Sequence, residues 1–350
     1  MERVMAVSVA DRSAVAREAV LEASAVCRAV QGQLESVKQV LKDDKSPVTV
    51  ADFAAQAVVC RRLGEAFGSF ELVGEEDAGE LREQIRAGNG AVAEAVLVAV
   101  RGVWSDATLE GVLDAIDLGN SEGTGDAHWT LDPIDGTKGF LRGQQYAVSL
   151  GWIEKGEVTL GALACPNLSR DFSAAFDRAD AGGSVYVASR GEGVREWACS
   201  RDAEGEGRVV SRGDWEGGAV SVCASVEKAH SNVSDTDRVL ELIEEKGWGR
   251  TGEPARLDSQ CKYAVVARGQ ADAYLRLPTK KGYVEKIWDH AAGSLIAEEA
   301  GAVVTDIHGE PLDFSRGKGL SANSGVVCAA SGLHGKVVEA IGELGIKAPG

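Results

Sequence analysis

Two aspartates stand three residues apart at the centre of the chain, within Trp129-Thr130-Leu131-Asp132-Pro133-Ile134-Asp135-Gly136-Thr137-Lys138-Gly139-Phe140. Pro133 forbids a regular helix through Asp132 and stiffens the segment. A turn with this spacing can aim both carboxylates, and the Ile134 carbonyl between them, at one point. Hard cations such as Mg²⁺ take oxygen ligands of this kind. Gly136 lets the backbone come close to a ligand, and exposed N–H groups at Gly136 and Thr137 could hold a phosphate. A bare pair of aspartates at this spacing is most often a solvated acidic turn, but the Pro, Gly and Thr around this one set it apart.

Two further clusters carry charge. Gly74-Glu75-Glu76-Asp77 sets three acids in a row, which repel one another unless one of them faces a cation. Trp288-Asp289-His290 opens an apolar helix, where Asp289 alone would simply complement the helix dipole. His290 fits no metal-ligand spacing. Gly119-Asn120-Ser121-Glu122-Gly123 matches the pattern of a serine nucleophile but lacks an apolar strand before it and a helix after it, so it reads as coincidence. The sequence contains no P-loop, zinc-protease helix or dinucleotide fingerprint.

These clusters need elements to position them. Val26, Val30, Leu34, Val37 and Leu41 recur on one helical face, which ends in the polar loop Lys42–Ser46 before Pro47. A second helix is expected near Thr49, with Asp52 three residues on as a capping-box acid. Phe70–Val73 reads as a short strand. In residues 79–128, Ala91–Val103 reads equally as helix or strand. Ala147–Ile153 and Val158–Cys165 flank a hairpin turn at residues 154–157, and Val185–Ser189 is another strand. The apolar-poor stretch Arg201–Gly218 is the expected junction between residues 1–205 and 206–350. Beyond it strands and helices alternate: strand Val220–Val226, helices Ser234–Lys246 and Cys261–Arg268, strand Ala271–Leu277, helix Ile287–Ala300, strands Ala302–Asp306 and Val326–Ala330, and helix Leu333–Leu344. The predicted class is α/β, with an α+β first half.

Composition removes whole classes of function. The 350 residues carry 37 Lys and Arg against 54 Asp and Glu, a net charge of −17. Binding to nucleic acid or anionic lipid as a main role needs the opposite balance. The most apolar run, Ala91–Val100, carries Glu94 and falls short of the roughly 18 residues of a membrane span. Acids at Glu2 and Asp11 argue against a leader peptide. The seven cysteines form no CxxC pair and read as reduced thiols. A soluble intracellular protein is expected, cytoplasmic or, after removal of a transit peptide, in a plastid or mitochondrion.

Taken together, WTLDPIDGTKGF, the upstream GEED and the downstream EKIWDHAAG resemble the lithium-sensitive, magnesium-dependent sugar phosphatases of the inositol monophosphatase superfamily. The 3′(2′),5′-bisphosphate nucleotidase branch is the nearer resemblance. It rests on Ser46–Asp52, Leu131–Gln145, Ala164–Leu168, Leu257–Tyr263, Tyr274–Pro278 and Tyr283–Gly293, which occur in the family's order across about residues 15–335. The resemblance implies a five-layer αβαβα sandwich with its site between the halves. It implies Mg²⁺, two or three ions, on Glu75, Asp132, Asp135, Asp289 and the Ile134 carbonyl, and inhibition by Li⁺. The first half would then carry most metal ligands, and the second the last of them together with the nucleotide contacts. Thr137, hydrogen-bonded to Asp52, would help deprotonate the attacking water with Glu75. Gly136, Thr137, His230, Ser259, Lys262 and Arg276 would contact substrate. The expected reaction removes the 3′-phosphate of 3′-phosphoadenosine 5′-phosphate, giving AMP, with the sulfated analogue accepted too. An inositol mono- or bisphosphate phosphatase is the near alternative, and a non-catalytic nucleotide or metal sensor the alternative of another class. The partner is a small nucleotide, and a monomer is expected.

Overall fold

The computed structural model describes residues 8–34, 47–226 and 233–347. The first helix, α1 (Val9–Gln31), is capped by Ser8, whose hydroxyl accepts the Asp11 N–H at 3.1 Å. Val37, Leu41 and the loop Lys42–Ser46 lie outside the described residues. The second helix, α2 (Pro47–Phe67), includes Pro47, a residue suited to a first turn. That start lies before the expected Thr49, so Asp52 falls in the second turn and is no capping-box acid. Alanines at 51, 54, 55 and 57 are buried where α2 lies against α1.

The helices cover one face of a seven-stranded sheet with strands in sequence order: β1 (Leu72–Gly74), β2 (Ala127–Asp135), β3 (Ala147–Glu154), β4 (Glu157–Cys165), β5 (Ser184–Ser189), β6 (Gly193–Ala198) and β7 (Arg208–Val210). Only β1–β2 pair in parallel. The β3–β4 hairpin turns on Lys155 and Gly156, both at positive φ, as a two-residue loop with the right twist requires. Residues 79–128 contain three helices, α3 (Gly79–Arg86), α4 (Ala91–Val100) and α5 (Leu109–Asp117), and the short α6 (Thr137–Leu141) follows β2. The strand-or-helix ambiguity of Ala91–Val103 thus resolves to a helix. It buries Val92, Val96 and Val100 but leaves Val98 70% exposed.

β7 pairs with β6, so residues 208–210, assigned from sequence to the second half, complete the first sheet. A five-stranded sheet follows in the order β11 (Ala255–Arg256), β9 (Val222–Ala224), β12 (Ala273–Arg276), β14 (Val326–Ala330), β13 (Ala302–Thr305). β8 (Ala219–Val220) and β10 (Arg250–Thr251) form a small pair beside it.

Two helices fill the space between the sheets, α8 (Cys261–Ala267) and α9 (Ala291–Glu299). Two others, α7 (Val233–Glu245) and α10 (Ser331–Glu343), pack together on the outer side, with α10 against β14. The order is helix, sheet, helix, sheet, helix: the five-layer sandwich. Tyr263, Leu295 and Ile296 of the middle layer share one apolar cluster with Leu163 and Tyr186 of the first sheet. Gly161 permits this contact, since a Cβ there would meet the Ala292 carbonyl at 2.8 Å. The helix expected over Ile287–Ala300 is broken. A 3₁₀ turn, Ile287–Asp289, precedes α9, and His290 between them has φ −135°.

Candidate active site

The Asp132–Asp135 segment is the end of strand β2 rather than a free turn. In a regular strand, residues three apart point to opposite faces. Here Asp132 pairs with Ser149 and Asp135 with Ala147, so β2 carries one residue more than β3 in this interval. This bulge re-aims the chain, and both carboxylates and Ile134 line a single cavity of about 350 Å³ between the two sheets. Gly136 follows with φ +90°, and a Cβ there would stand 2.9 Å from Cβ of Ser259. Only glycine lets the two halves touch so closely at the cavity floor.

The GEED loop follows β1. Buried Gln56 of α2 clamps it, accepting the Glu76 N–H at 3.1 Å and donating to the carbonyls of Glu76 and Ile116. Asp77 turns away to accept the Gly79 N–H at 2.8 Å. Of the three acids, only Glu75 lines the cavity. The second half supplies Ser259, Lys262, Arg276 and Tyr283, and it adds Asp289 to the carboxylates. Gln260 joins the two. Its N–H donates to Asp135 Oδ2 at 2.5 Å, and its side chain donates to the Trp288 carbonyl at 2.8 Å and accepts the Gly293 N–H at 3.0 Å. The turn bearing Asp289 is thereby fixed to β2. Arg142 adds an ion pair across the halves to Asp258.

Charges of both signs line the cavity. Burial, then Asp289 and Glu76, push the Glu75 carboxyl up to about 8. Burial and the carboxylates of Glu75, Asp135 and Asp289 hold Asp132 well above the usual range. Asp135 is also raised, by burial and Asp289, with Lys262 and Arg276 pulling the other way. Asp52 does not line the cavity but lies just behind it, 8% exposed. Its carboxyl is raised by burial and then by Glu76 and Glu75. The expected Thr137–Asp52 hydrogen bond is not formed among the described residues; Thr137 opens to the cavity, and Asp52 answers to the glutamates of the loop.

Across the cavity, Lys262 is buried, its ammonium lowered by burial against the fields of Asp135 and Asp258. Arg276 makes an ion pair with Glu285 at 2.7 Å and lies 3.4 Å from Asp289. Burial would raise the Glu285 carboxyl, but the His290 hydrogen bond and the Arg276 charge hold it down at about 2. Glu285, Asp289 and His290 cluster tightly enough to suggest a metal centre. Arg276 already supplies their cation, and both ring nitrogens of His290 are engaged, by Tyr263 at 2.8 Å and Glu285 at 3.3 Å. The trio is an ion network.

Of the residues singled out from sequence, the fold brings Glu75, Asp132, Ile134, Asp135, Gly136, Thr137, Ser259, Lys262, Arg276 and Asp289 around one cavity. His230 lies outside the described residues. Gln56 went unremarked in the sequence, and Gln260, Tyr283 and Glu285 stood inside the resembling blocks without a role, because only tertiary contact gives them their parts.

A bulged aspartate strand facing a carboxylate loop, inside a five-layer sandwich, describes a family. The model of the inositol monophosphatase family matches residues 8–345, and the chain belongs to that family. The chain is 43% identical over 320 residues to the 3′(2′),5′-bisphosphate nucleotidase of Emericella nidulans, covering 86% of this chain and 89% of that one. It is 40% identical over 314 residues to the enzyme of that name from Schizosaccharomyces pombe, covering 88% and 87%. Among solved structures it shares the fold of CysQ from Bacteroides thetaiotaomicron, with a TM-score of 0.60 at 21% identity, covering 91% of this chain and 97% of that one. It shares the fold of Mycobacterium tuberculosis SuhB as well, with a TM-score of 0.57 at 23% identity, covering 95% and 96%. No helix among the described residues is long and apolar enough to cross a membrane.

Proposed function

We propose that this protein is a magnesium-dependent phosphatase that removes the 3′-phosphate of 3′-phosphoadenosine 5′-phosphate, leaving AMP, and that it accepts the sulfated analogue. The observation that carries the reading is one cavity lined by four carboxylates, Glu75, Asp132, Asp135 and Asp289, together with two cations, Lys262 and Arg276. Relatives that bear the name of this nucleotidase over most of the chain support the substrate class.

The donor set fits a hard cation. Asp132 Oδ1 is buried without a hydrogen-bond partner, and the carboxylates around it raise one another's pKa values, a repulsion that cations would relieve. Glu75, Asp132, Asp135, Asp289 and the Ile134 carbonyl would hold two or three Mg²⁺. When bound, the ions supply Lewis acidity, which acidifies the attacking water and offsets charge on the leaving oxygen. The chain's own residues do the rest. Thr137 orients the water, Glu75 accepts its proton, and Asp52, behind the cavity, acts on Glu75 through its charge. Gly136, with no side chain, leaves room for the reacting phosphate. Ser259 and His230 contact the nucleoside, while Lys262 and Arg276 meet the phosphate that is not cleaved. The protein acts as a soluble monomer inside the cell.

Phosphate release from adenosine bisphosphates and inositol phosphates, with and without Mg²⁺, tests the proposal. Rapid Mg²⁺-dependent release from the bisphosphates, at least about tenfold faster in kcat/KM than from inositol phosphates, is expected. A preference for inositol phosphates, or activity that survives chelation, would contradict it.

A further inference from the structure

Arg276 stands at the end of a hydrogen-bonded chain that begins deep in the middle layer. Tyr263, fully buried on α8, lies 2.8 Å from His290 Nδ1. His290, equally buried, presents Nε2 to Glu285 Oε2 at 3.3 Å. A carboxylate only accepts, so Nε2 carries a proton, and in the neutral ring Nδ1 accepts from the Tyr263 hydroxyl. The same Glu285 oxygen takes Arg276 Nη2 at 2.7 Å. That nitrogen lies farther, 3.4 Å, from Asp289 Oδ2. Arg276 Nε is buried without a partner, so the guanidinium keeps donor capacity for a ligand in the cavity it lines.

Two carboxylates compete for one guanidinium here, and the nearer one is not a proposed metal ligand. Without the Glu285 charge, the closest counter-ion of Arg276 would be Asp289, on the acidic side. Drawn there, the arginine would both leave the second phosphate and occupy an acid proposed to bind metal. We infer that Glu285, locked by the Tyr263–His290 pair, is a positioning residue for substrate choice: it holds Arg276 off Asp289 and on the cationic wall, a role that rests on Arg276 serving the uncleaved phosphate. The selectivity of the site is then set partly by residues that never touch substrate.

The test compares Glu285→Gln, Tyr263→Phe and Arg276→Ala on adenosine 3′,5′-bisphosphate and adenosine 3′-monophosphate at saturating Mg²⁺. Glu285→Gln is expected to raise KM for the bisphosphate about tenfold, and by a clearly smaller factor for the monophosphate. Tyr263→Phe keeps the ring and loses only the hydroxyl; it should give a shift of about threefold in the same direction, and it decides the matter should Glu285→Gln fail to fold. In the Arg276→Ala background, Glu285→Gln should add less than about twofold, because its partner is gone. Equal KM rises for both substrates with a lowered Tm, or additive losses in the double variant, would overturn the positioning role. If Arg276→Ala loses the preference for the bisphosphate while Glu285→Gln and Tyr263→Phe keep it, this inference alone falls. If Arg276→Ala keeps that preference, the reading of Arg276 falls and takes the positioning role with it.

Discussion

The two walls of the cavity are built by different means. The acidic wall comes from one bulged strand end, one loop and one 3₁₀ turn, and its carboxylates raise one another's pKa values. The cationic wall is two side chains, the buried Lys262 and the partly buried Arg276, carried by separate elements, with Arg276 held by Glu285 nine residues on. Half of the first, Asp132 and Asp135, can be read from a dozen contiguous residues, whereas Glu75, Asp289 and the cations join them only once the sandwich is assembled. On the proposed reading the division is also functional: chemistry on one side, choice of substrate on the other.

The sharpest way to break that division is at the acidic wall. Asp135→Asn removes a ligand charge but keeps the shape, and kcat should fall at least about 100-fold, near 3 kcal/mol of transition-state stabilisation. Tm should hold or rise, since burial and Asp289 already disfavour the charged form. Turnover near that of the unaltered protein in steady-state kinetics would remove Asp135 from the metal set.

Thr137→Ala and Asp52→Asn probe proton handling behind the same wall. Each should lower kcat by up to about 100-fold, with the double variant little worse than either single one. Asp52 sits in the second turn of α2 and caps nothing, so Asp52→Asn should leave Tm unchanged or higher. Additive kcat losses in the cycle would separate the two residues.

Arg276→Ala tests the other side. KM for the bisphosphate should rise roughly 10- to 100-fold, the worth of a charge-assisted hydrogen bond, with a much smaller change for a substrate bearing only the 3′-phosphate. Equal rises for both would reduce Arg276 to the ion pair it makes with Glu285.

The smallest expected effect is on stability. Glu75 and Glu76 are raised in the folded protein to about 8 and about 7, from an ordinary 4.5. The stability they contribute is full below about 4.5 and is lost as pH rises through their folded values. In a chelator, Tm should therefore fall by about 5 °C between pH 6 and pH 8.5, and Mg²⁺, held by Glu75, should remove the larger part of the fall. Calorimetry at both pH values checks this; a Tm that climbs with pH in chelator would contradict it.

The same contrast explains what the sequence could reveal. Asp132-Pro133-Ile134-Asp135-Gly136 was legible because its chemistry is local, although the bulge that turns both aspartates inward needs β3 beside it. Strand β6 escaped notice because Glu196, fully buried against Tyr186 and Arg208, sits where an apolar residue would mark the inward face. Helix α4 was ambiguous because an almost unbroken apolar run carries no period. Arg276 could be flagged from sequence, but whether it was an ion pair or a ligand contact could not be separated there. The structure makes it both, and only the fold places Glu285 and His290 beside it.

The product formed from 3′-phosphoadenosine 5′-phosphate tests the central division most directly, read by phosphorus NMR in the presence of Mg²⁺. AMP and free phosphate alone would mean that the acidic wall takes the 3′-phosphate while the cationic wall retains the 5′ one, which is the predicted result. Release of the 5′-phosphate to leave adenosine 3′-monophosphate, or a mixture of the two products, would contradict it.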